Sequence, residues 1–406
     1  MAIDAINGII RTVTTGSKEY KAWMAFLSLL ALVGISFVFE QIDQGLIATN
    51  MRDQVSWGWY IANFTFLVGL AAAAVVLVIP YYLYDVKPIG QIVLIGEIMA
   101  VAAVSMCLMF ILLDMGSAER FWHLIPMIGI FNFPQSILTW DVVVLNGYLV
   151  LNLTLVVYAL AKTYAGKPYK TKLIWPFILF SVPAAISIHT VTAFLYLGAP
   201  SRPFWNTAIL APRFIASAFC AGPAFMLLIF QIIRNRTKLV IEDEALHTVA
   251  QIVAWCAAVN LFFLGAEVFK EVYSATAHIA PFNYLWHGLN GHDQLVPWIW
   301  TALILNSLGF LILVVPAMRR NFTMLNIACV FLCIGVYIEK GMGLIFPGFI
   351  PDTLGEIYDY MPNSLELWIS LGVWAIGLMI FTVGAKICIA IKTGEIGHAS
   401  EMTEHH

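Results

Sequence analysis

The sequence predicts an all-α integral membrane protein with about ten spanning helices. Three observations lead there. Of 406 residues, 61% are hydrophobic and only 11% charged, and the mean hydropathy is +0.86, far from the balance of soluble domains. Ten apolar runs separated by polar connections are each long enough to cross a hydrocarbon core about 30 Å thick, which takes about 20 helical residues. The basic residues in the connections also alternate in density from one side to the other.

In order, the run 20–39 follows Arg11, Lys18 and Lys21 and is separated from 57–84 by a connection carrying Arg52. Lys87 marks the short turn to 89–113, and Arg120 lies in the longer connection to 135–162. Lys162, Lys167, Lys170 and Lys172 crowd the turn to 172–197, and Arg202 follows that run, with Arg213 one turn into 209–233. Arg234, Arg236 and Lys238 precede 246–270, which Lys270 closes, and 296–317 follows. Arg319 and Arg320 form the turn to 322–346, which holds Lys340 near its end, and 366–391 closes the set with Lys386 and Lys392. Fifteen of the 21 basic residues fall on the N-terminal side and six on the other. The count predicts cytoplasmic termini, hence a multi-pass protein of the cytoplasmic (inner) membrane. One missed helix would scramble the alternation.

The runs are continuous rather than alternating, and open sheet edges go unsatisfied in lipid, so helices are expected. Short turns at 85–88 and 318–321 force antiparallel hairpins within one membrane domain, 1–406. The segment Met1–Lys21 reads as polar and mixed, without a cleavage site for a removable leader. The net charge of −3 gives no surface for nucleic acid. The six cysteines lie inside apolar runs without metal-binding spacing and read as packing residues, so no iron–sulfur cluster is expected in this chain, and with His189 the only histidine well inside a span, no bis-histidine haem pair is expected either. No internal repeat is evident.

Ionisable residues are costly in a membrane span, so their depth is informative. Asp114, Asp141, His189, Arg213, Glu267, Lys270, Glu339 and Lys340 all fall in the half of the bundle away from the termini, whereas Glu97 and Lys386 lie in the other half. Glu267 and Lys270, an i,i+3 pair, read equally as a structural ion pair. Lys386 is expected to snorkel to the interface. Glu97 reads as a proton-relay carboxylate or as a hydrogen-bonded interior acid. Aromatic residues crowd the same far side, among them Trp57, Tyr60, Trp122, Trp205 and Trp300. An interfacial belt explains many of them, but not their mixing with acid, histidine and arginine. Such a half-apolar, half-polar pocket suits an amphiphilic ring with two redox oxygens. Quinol oxidation releases protons as well as electrons, and Asp114, His123, Asp141 and His189 are candidate proton partners, with Arg202 and Arg213 nearby.

Several segments resemble the membrane subunits of the polysulfide reductase (NrfD/PsrC) family. In 112–124, LLDMGSAERFWHL, residues Asp114, Gly116, Arg120 and Trp122 resemble the family's Asp-x-Gly-x-x-x-Arg-x-Trp turn. Many members carry Arg-Pro where this chain has Ser117 and Ala118. The segments 57–74, 189–214 and 281–300 are similar to further core regions, and the run 136–152 with the ten-helix length is most similar to the family's DsrP branch, from the DsrMKJOP complexes linked to dissimilatory sulfite reduction. The resemblance implies two four-helix bundles (57–197 and 209–346), with added helices at 20–39 and 366–391. It also implies menaquinone as substrate near the outer face, a ferredoxin-like iron–sulfur subunit docked there, a multihaem cytochrome c, and further membrane and cytoplasmic redox subunits. Two other readings stand beside it: a secondary transporter, favoured by Pro183 and Pro223 within spans, and a structural anchor with no quinone site.

Overall fold

The structure, a computed structural model, describes residues 2–167, 171–276 and 279–397. Within them ten helices are long and apolar enough to span a membrane: α1 Lys18–Gln44, α2 Trp59–Leu83, α3 Val93–Asp114, α4 Ile137–Tyr164, α5 Leu173–Leu197, α6 Leu210–Arg236, α7 Asp243–Ser274, α8 Val296–Val314, α9 Phe322–Phe349 and α10 Ser364–Lys392. The protein is an all-helical, multi-pass integral membrane protein. Lys170 and the side chain of Lys172, counted above, lie outside the described residues.

Two helices escape the hydropathy pattern. Ala2–Thr14, in the stretch read as mixed and polar, is an amphipathic helix too short to span, and Ile279–Trp286 is a two-turn helix between α7 and α8. Ser17 starts α1 by accepting the Tyr20 N–H at 3.2 Å. Asn321 caps α9 through the Thr323 and Met324 amides, and Asn363 with Glu366 forms a reciprocal capping box on α10. α5 runs through Pro176 and Pro183, and α6 through Pro223, as continuous helices, so the prolines that favoured the transporter reading break neither span. The irregularities lie elsewhere: α2 is interrupted at Ala73–Ala74 and widens at Ile79–Leu83 around Pro80, and α9 widens at Gly341–Ile345, directly after Lys340. Wide turns of this kind re-aim side chains and often mark functional positions.

α2 packs on α3, α3 on α4, α4 on α5, and α5 back on α2; α6, α7, α8 and α9 close a similar ring. The two sets meet where α2 and α5 contact α6 and α2 contacts α9. α2 is the most enclosed span, 94% buried against 17% for α1, so α2 is central and α1 peripheral. α1 rests on α10 and α10 on α3. Helices in lipid gain nothing from the hydrophobic effect on pairing, so close contact of small residues matters. A Cβ added to Gly34 of α1 would lie 2.6 Å from the Gly372 Cα of α10, so the two backbones touch at that point.

The even number of spans among the described residues puts the start of α1 and the end of α10 on one face, here the terminal face; the other is the distal face. Contacts agree, with Lys386 donating to the Thr15 carbonyl and lying over the Tyr20 ring as a snorkelling lysine should, and Gly8 approaching Ile396.

Candidate functional site

Polar side chains inside the bundle gather in three assemblies toward the distal face. The first lies at the seam between the two helix sets. Asp141 of α4 is fully buried, and its Oδ1 accepts from the Thr192 hydroxyl of α5 at 3.0 Å. One turn before Thr192 stands His189, also buried. Neither ring nitrogen of His189, nor Oδ2 of Asp141, has a hydrogen-bond partner among the described residues. Such groups are rare in a native interior. His189 lines a cavity of about 10 Å³ together with Thr65 and Gly69 of α2, Ser217 of α6 and Lys340 of α9, enough for one water molecule. Lys340 is buried with its ammonium 3.4 Å from the centroid of the Phe214 ring, a cation–π contact in a desolvated setting. Above the cavity Thr65 Oγ1 and the Tyr196 hydroxyl share a 2.5 Å hydrogen bond.

An aromatic lid covers this seam. Trp57 stacks on Trp205 at 5.6 Å and meets Tyr196 edge-on at 5.7 Å, and Phe349 closes against both tryptophans. Trp205 donates from Nε1 to the Leu344 carbonyl at 2.9 Å. Gly348 makes this possible: a Cβ there would sit 2.0 Å from the indole. Arg202 lies over the Phe349 ring and donates to its carbonyl at 3.0 Å. Partial burial pulls this guanidinium down from its ordinary range, and Asp352 opposes the shift.

The second assembly belongs to α6–α9. Arg213 pairs with Glu267 and donates from Nε and Nη2 to Glu339 Oε1 at 3.2 and 2.9 Å. Asn260 and Asn306 donate to the other oxygen of Glu339 at 3.3 and 3.0 Å. All five are buried, and the paired charges with their amide donors satisfy the condition under which buried ions are tolerated. The expected Glu267–Lys270 pair does not form, because Glu267 turns inward to Arg213 and Lys270 pairs with Glu271 at 3.1 Å.

The third assembly ties α1, α2, α3 and α10 together at the distal end. Gln41 donates to the Leu113 carbonyl at 2.8 Å and accepts from the Tyr60 hydroxyl at 2.6 Å. Asp114 ends α3 beside them, within electrostatic range of Tyr60 and Glu366. The Tyr360 hydroxyl donates to Glu366 and accepts the Trp59 N–H at 2.8 Å. Burial, reinforced by Glu366, pushes the Tyr360 phenol up from its ordinary value, which keeps it a donor.

The candidate residues therefore separate. His189 and Trp57 share the seam, with Arg202 at its lid, while Asp141 lies between α4 and α5 at Thr192; Arg213 and Glu267 share the second assembly, Tyr60 and Asp114 the third. Arg120, Trp122 and His123 join none of them. They lie on the α3–α4 loop, where Arg120 is exposed beside Glu119 at 3.9 Å, and Trp122 stacks on His123. Glu97 is buried in the terminal half with Oε2 unbonded among the described residues, and Lys392 caps the nearby Gly90 and Gln91 carbonyls. No group of three or more His, Cys, Asp or Glu among the described residues could hold a metal ion. The sequence reading passed over Thr65, Thr192, Gln41, Asn260, Asn306, Tyr360 and Glu366. Asn260 and Asn306 could have been found by the depth rule applied to the charged residues, and Glu366 by the Asn-x-x-Glu capping pattern.

A family model described as "Polysulphide reductase, NrfD" matches residues 47–350, beginning after α1 and ending before α10. Three relatives align over nearly the whole chain. A selenate reductase subunit of Mesobacillus selenatarsenatis is 22% identical, covering 90% of this chain and 93% of the relative. The Hdr-like menaquinol oxidoreductase integral membrane subunit of Archaeoglobus fulgidus is 22% identical, covering 91% and 93%. The integral membrane subunit of menaquinone reductase from Nitratidesulfovibrio vulgaris is 22% identical, covering 91% and 90%. All three are subunits of oxidoreductases, and two of them are integral membrane subunits named for menaquinol or menaquinone. With the family match covering most of its length, the chain belongs to the NrfD polysulphide reductase family.

Proposed function

We propose that this chain is the quinone-interacting membrane subunit of a respiratory oxidoreductase complex. In this reading it exchanges electrons between menaquinol or menaquinone, bound in the distal half, and a ferredoxin-like iron–sulfur subunit docked on the distal face. The observation that carries the reading is the buried His189, with both ring nitrogens unbonded among the described residues, on a small cavity beneath an aromatic lid, with Asp141 bonded to Thr192 one turn further along α5. A quinol loses two protons and two electrons on oxidation, so its oxygens need groups that take up protons while a neighbouring centre takes the electrons. The seam cavity has room for a water but not for a naphthoquinone ring. The ring is therefore assigned to the lid region, with Trp57 displaced and Tyr196, Thr65 and His189 leading protons inward.

The comparisons support a quinone-linked complex. The place of that complex in sulfur or sulfite metabolism, on the DsrP pattern with a multihaem cytochrome c and further redox subunits, rests on the sequence resemblance. The bias of basic residues supports a cytoplasmic membrane with both termini in the cytoplasm and the distal face outward. The helix contacts support two four-helix units, 57–197 and 209–346, with α1 and α10 added.

The test is fluorescence quenching of a quinone-analogue inhibitor by the purified chain in nanodiscs. His189→Ala and Asp141→Asn should each weaken binding about tenfold or more while the chain stays folded. Unchanged affinity in both variants overturns this assignment of the site.

A further inference from the structure

The α3–α4 connection carries an unusual surface. From Phe121 to Trp140 the chain has twenty consecutive residues without one Asp, Glu, Lys or Arg. Their large apolar side chains point away from the bundle: Phe121, Trp122, Ile128, Ile130 and Phe133 are between 41% and 70% exposed, and Met127 fully so. A contiguous exposed patch of this kind marks an interaction surface. The loop is nevertheless tightly built. A Cβ on Gly129 would lie 2.3 Å from the His123 Cα, so the tip folds directly onto the turn before it. The Ile130 N–H donates to His123 Nδ1 at 3.0 Å, and the Ile128 and Gly129 amides both donate to the Ile125 carbonyl.

The Ile128, Gly129 and Ile130 amides at the tip are thus bonded within the loop while the apolar side chains turn outward, which suits the headgroup–acyl boundary. The patch is also continuous with the exposed apolar side of the spanning helix α4. Phe131 stacks on Phe133 at 6.2 Å, Phe133 packs on Trp140 at 4.5 Å, and Trp140 donates from Nε1 to the Pro134 carbonyl at 2.8 Å. Trp140 opens α4, whose Val143, Val150 and Val157 are exposed along the same outer side. Glu119 and Arg120, both exposed, lie at the edge where the apolar surface ends. A rigid aromatic rim with its polar edge in water is the arrangement favoured at a headgroup boundary.

We propose that residues 121–133 form a monotopic membrane anchor, lying in the headgroup–acyl boundary of the distal leaflet with Met127, Ile128 and Ile130 among the upper acyl carbons. The occupant of the patch is phospholipid rather than a partner subunit. This assigns Trp122 and His123 to lipid anchoring and loop closure, apart from the seam, and it holds whether or not quinone binds there.

The full chain is placed in nanodiscs, alone and within its native complex, with a polarity-sensitive fluorophore on Met127→Cys and the unsubstituted protein as background. Val143→Cys, exposed about two turns into α4, serves as a control near the distal boundary, and Leu354→Cys, on an exposed distal loop, as an aqueous control. Phospholipids brominated near the top of the acyl chain should quench the Met127→Cys label about twofold, as they should the Val143→Cys label, and iodide should leave it nearly unquenched. Iodide quenching like that of Leu354→Cys overturns the proposal by placing the loop in water. Bromolipid quenching seen in the isolated chain but lost in the complex overturns it in favour of a subunit interface.

Discussion

Replacing Arg213 with methionine gives a sharp test of how the second assembly is built. Arg213 is buried between two buried carboxylates, paired with Glu267 and donating twice to Glu339 at 3.2 and 2.9 Å. Methionine keeps much of the volume but leaves two acids facing each other in the membrane interior. Asn260 and Asn306 still donate to Glu339, so the loss falls mainly on Glu267 and on the repulsion between the two. Breaking a buried pair in this way costs about 3–5 kcal/mol. In a chain of this size that should lower the thermal midpoint of the detergent-solubilised protein by about 5 °C or more, read as loss of the monodisperse peak on size exclusion after heating. The decisive comparison is a triple variant, Arg213→Met with Glu267→Gln and Glu339→Gln, which removes the stranded charge and should recover most of the midpoint. An unchanged midpoint in the single variant would refute the buried-pair reasoning. Failure of the triple variant to recover would show that Arg213 acts through something other than charge compensation.

Other substitutions probe the lid and the distal corner. Gly348→Ala should push the Trp205 indole off the α9 backbone and cost about 2–3 kcal/mol through overpacking and the lost bond to Leu344; a changed tryptophan emission spectrum with a lowered midpoint checks this. Tyr360→Phe leaves the Trp59 N–H without its acceptor and removes a donor from Glu366, a loss of about 1–3 kcal/mol measurable by the same heating assay. Gly34→Leu should part α1 from α10, where the backbones touch. Faster proteolysis between α1 and α2, with the remaining spans intact, would report it.

The number, order and approximate limits of the spans were legible because each is a long apolar run broken by charge, and the basic residues cross-check the count. The helix Ala2–Thr14 was not, because thirteen residues with a polar face resemble a mixed terminal segment on any hydropathy scale. The gathering of polar side chains on one side was also legible, since depth follows from position along a span. Partner choice was not. Glu267 and Lys270 are spaced to meet, yet α7 turns Glu267 inward to α6, a contact between helices that spacing cannot report. The motif Asp114–Trp122 reads as one unit in sequence, but the break at Gly116, with φ of 71°, sends Asp114 into the bundle corner and Arg120 and Trp122 out onto the loop. Gly348 gave no signal, because its role depends on an indole brought from residue 205.

The position of a bound quinone headgroup separates a seam site from any other. Photo-crosslinking the chain in nanodiscs with an azido-quinone, followed by peptide mapping, reads that position. Labelled residues should fall within 57–70 of α2 and its approach, 189–205 around the end of α5, and 336–349 of α9. Labelling confined to the terminal half, or spread evenly over the lipid-facing surfaces, would contradict the seam site.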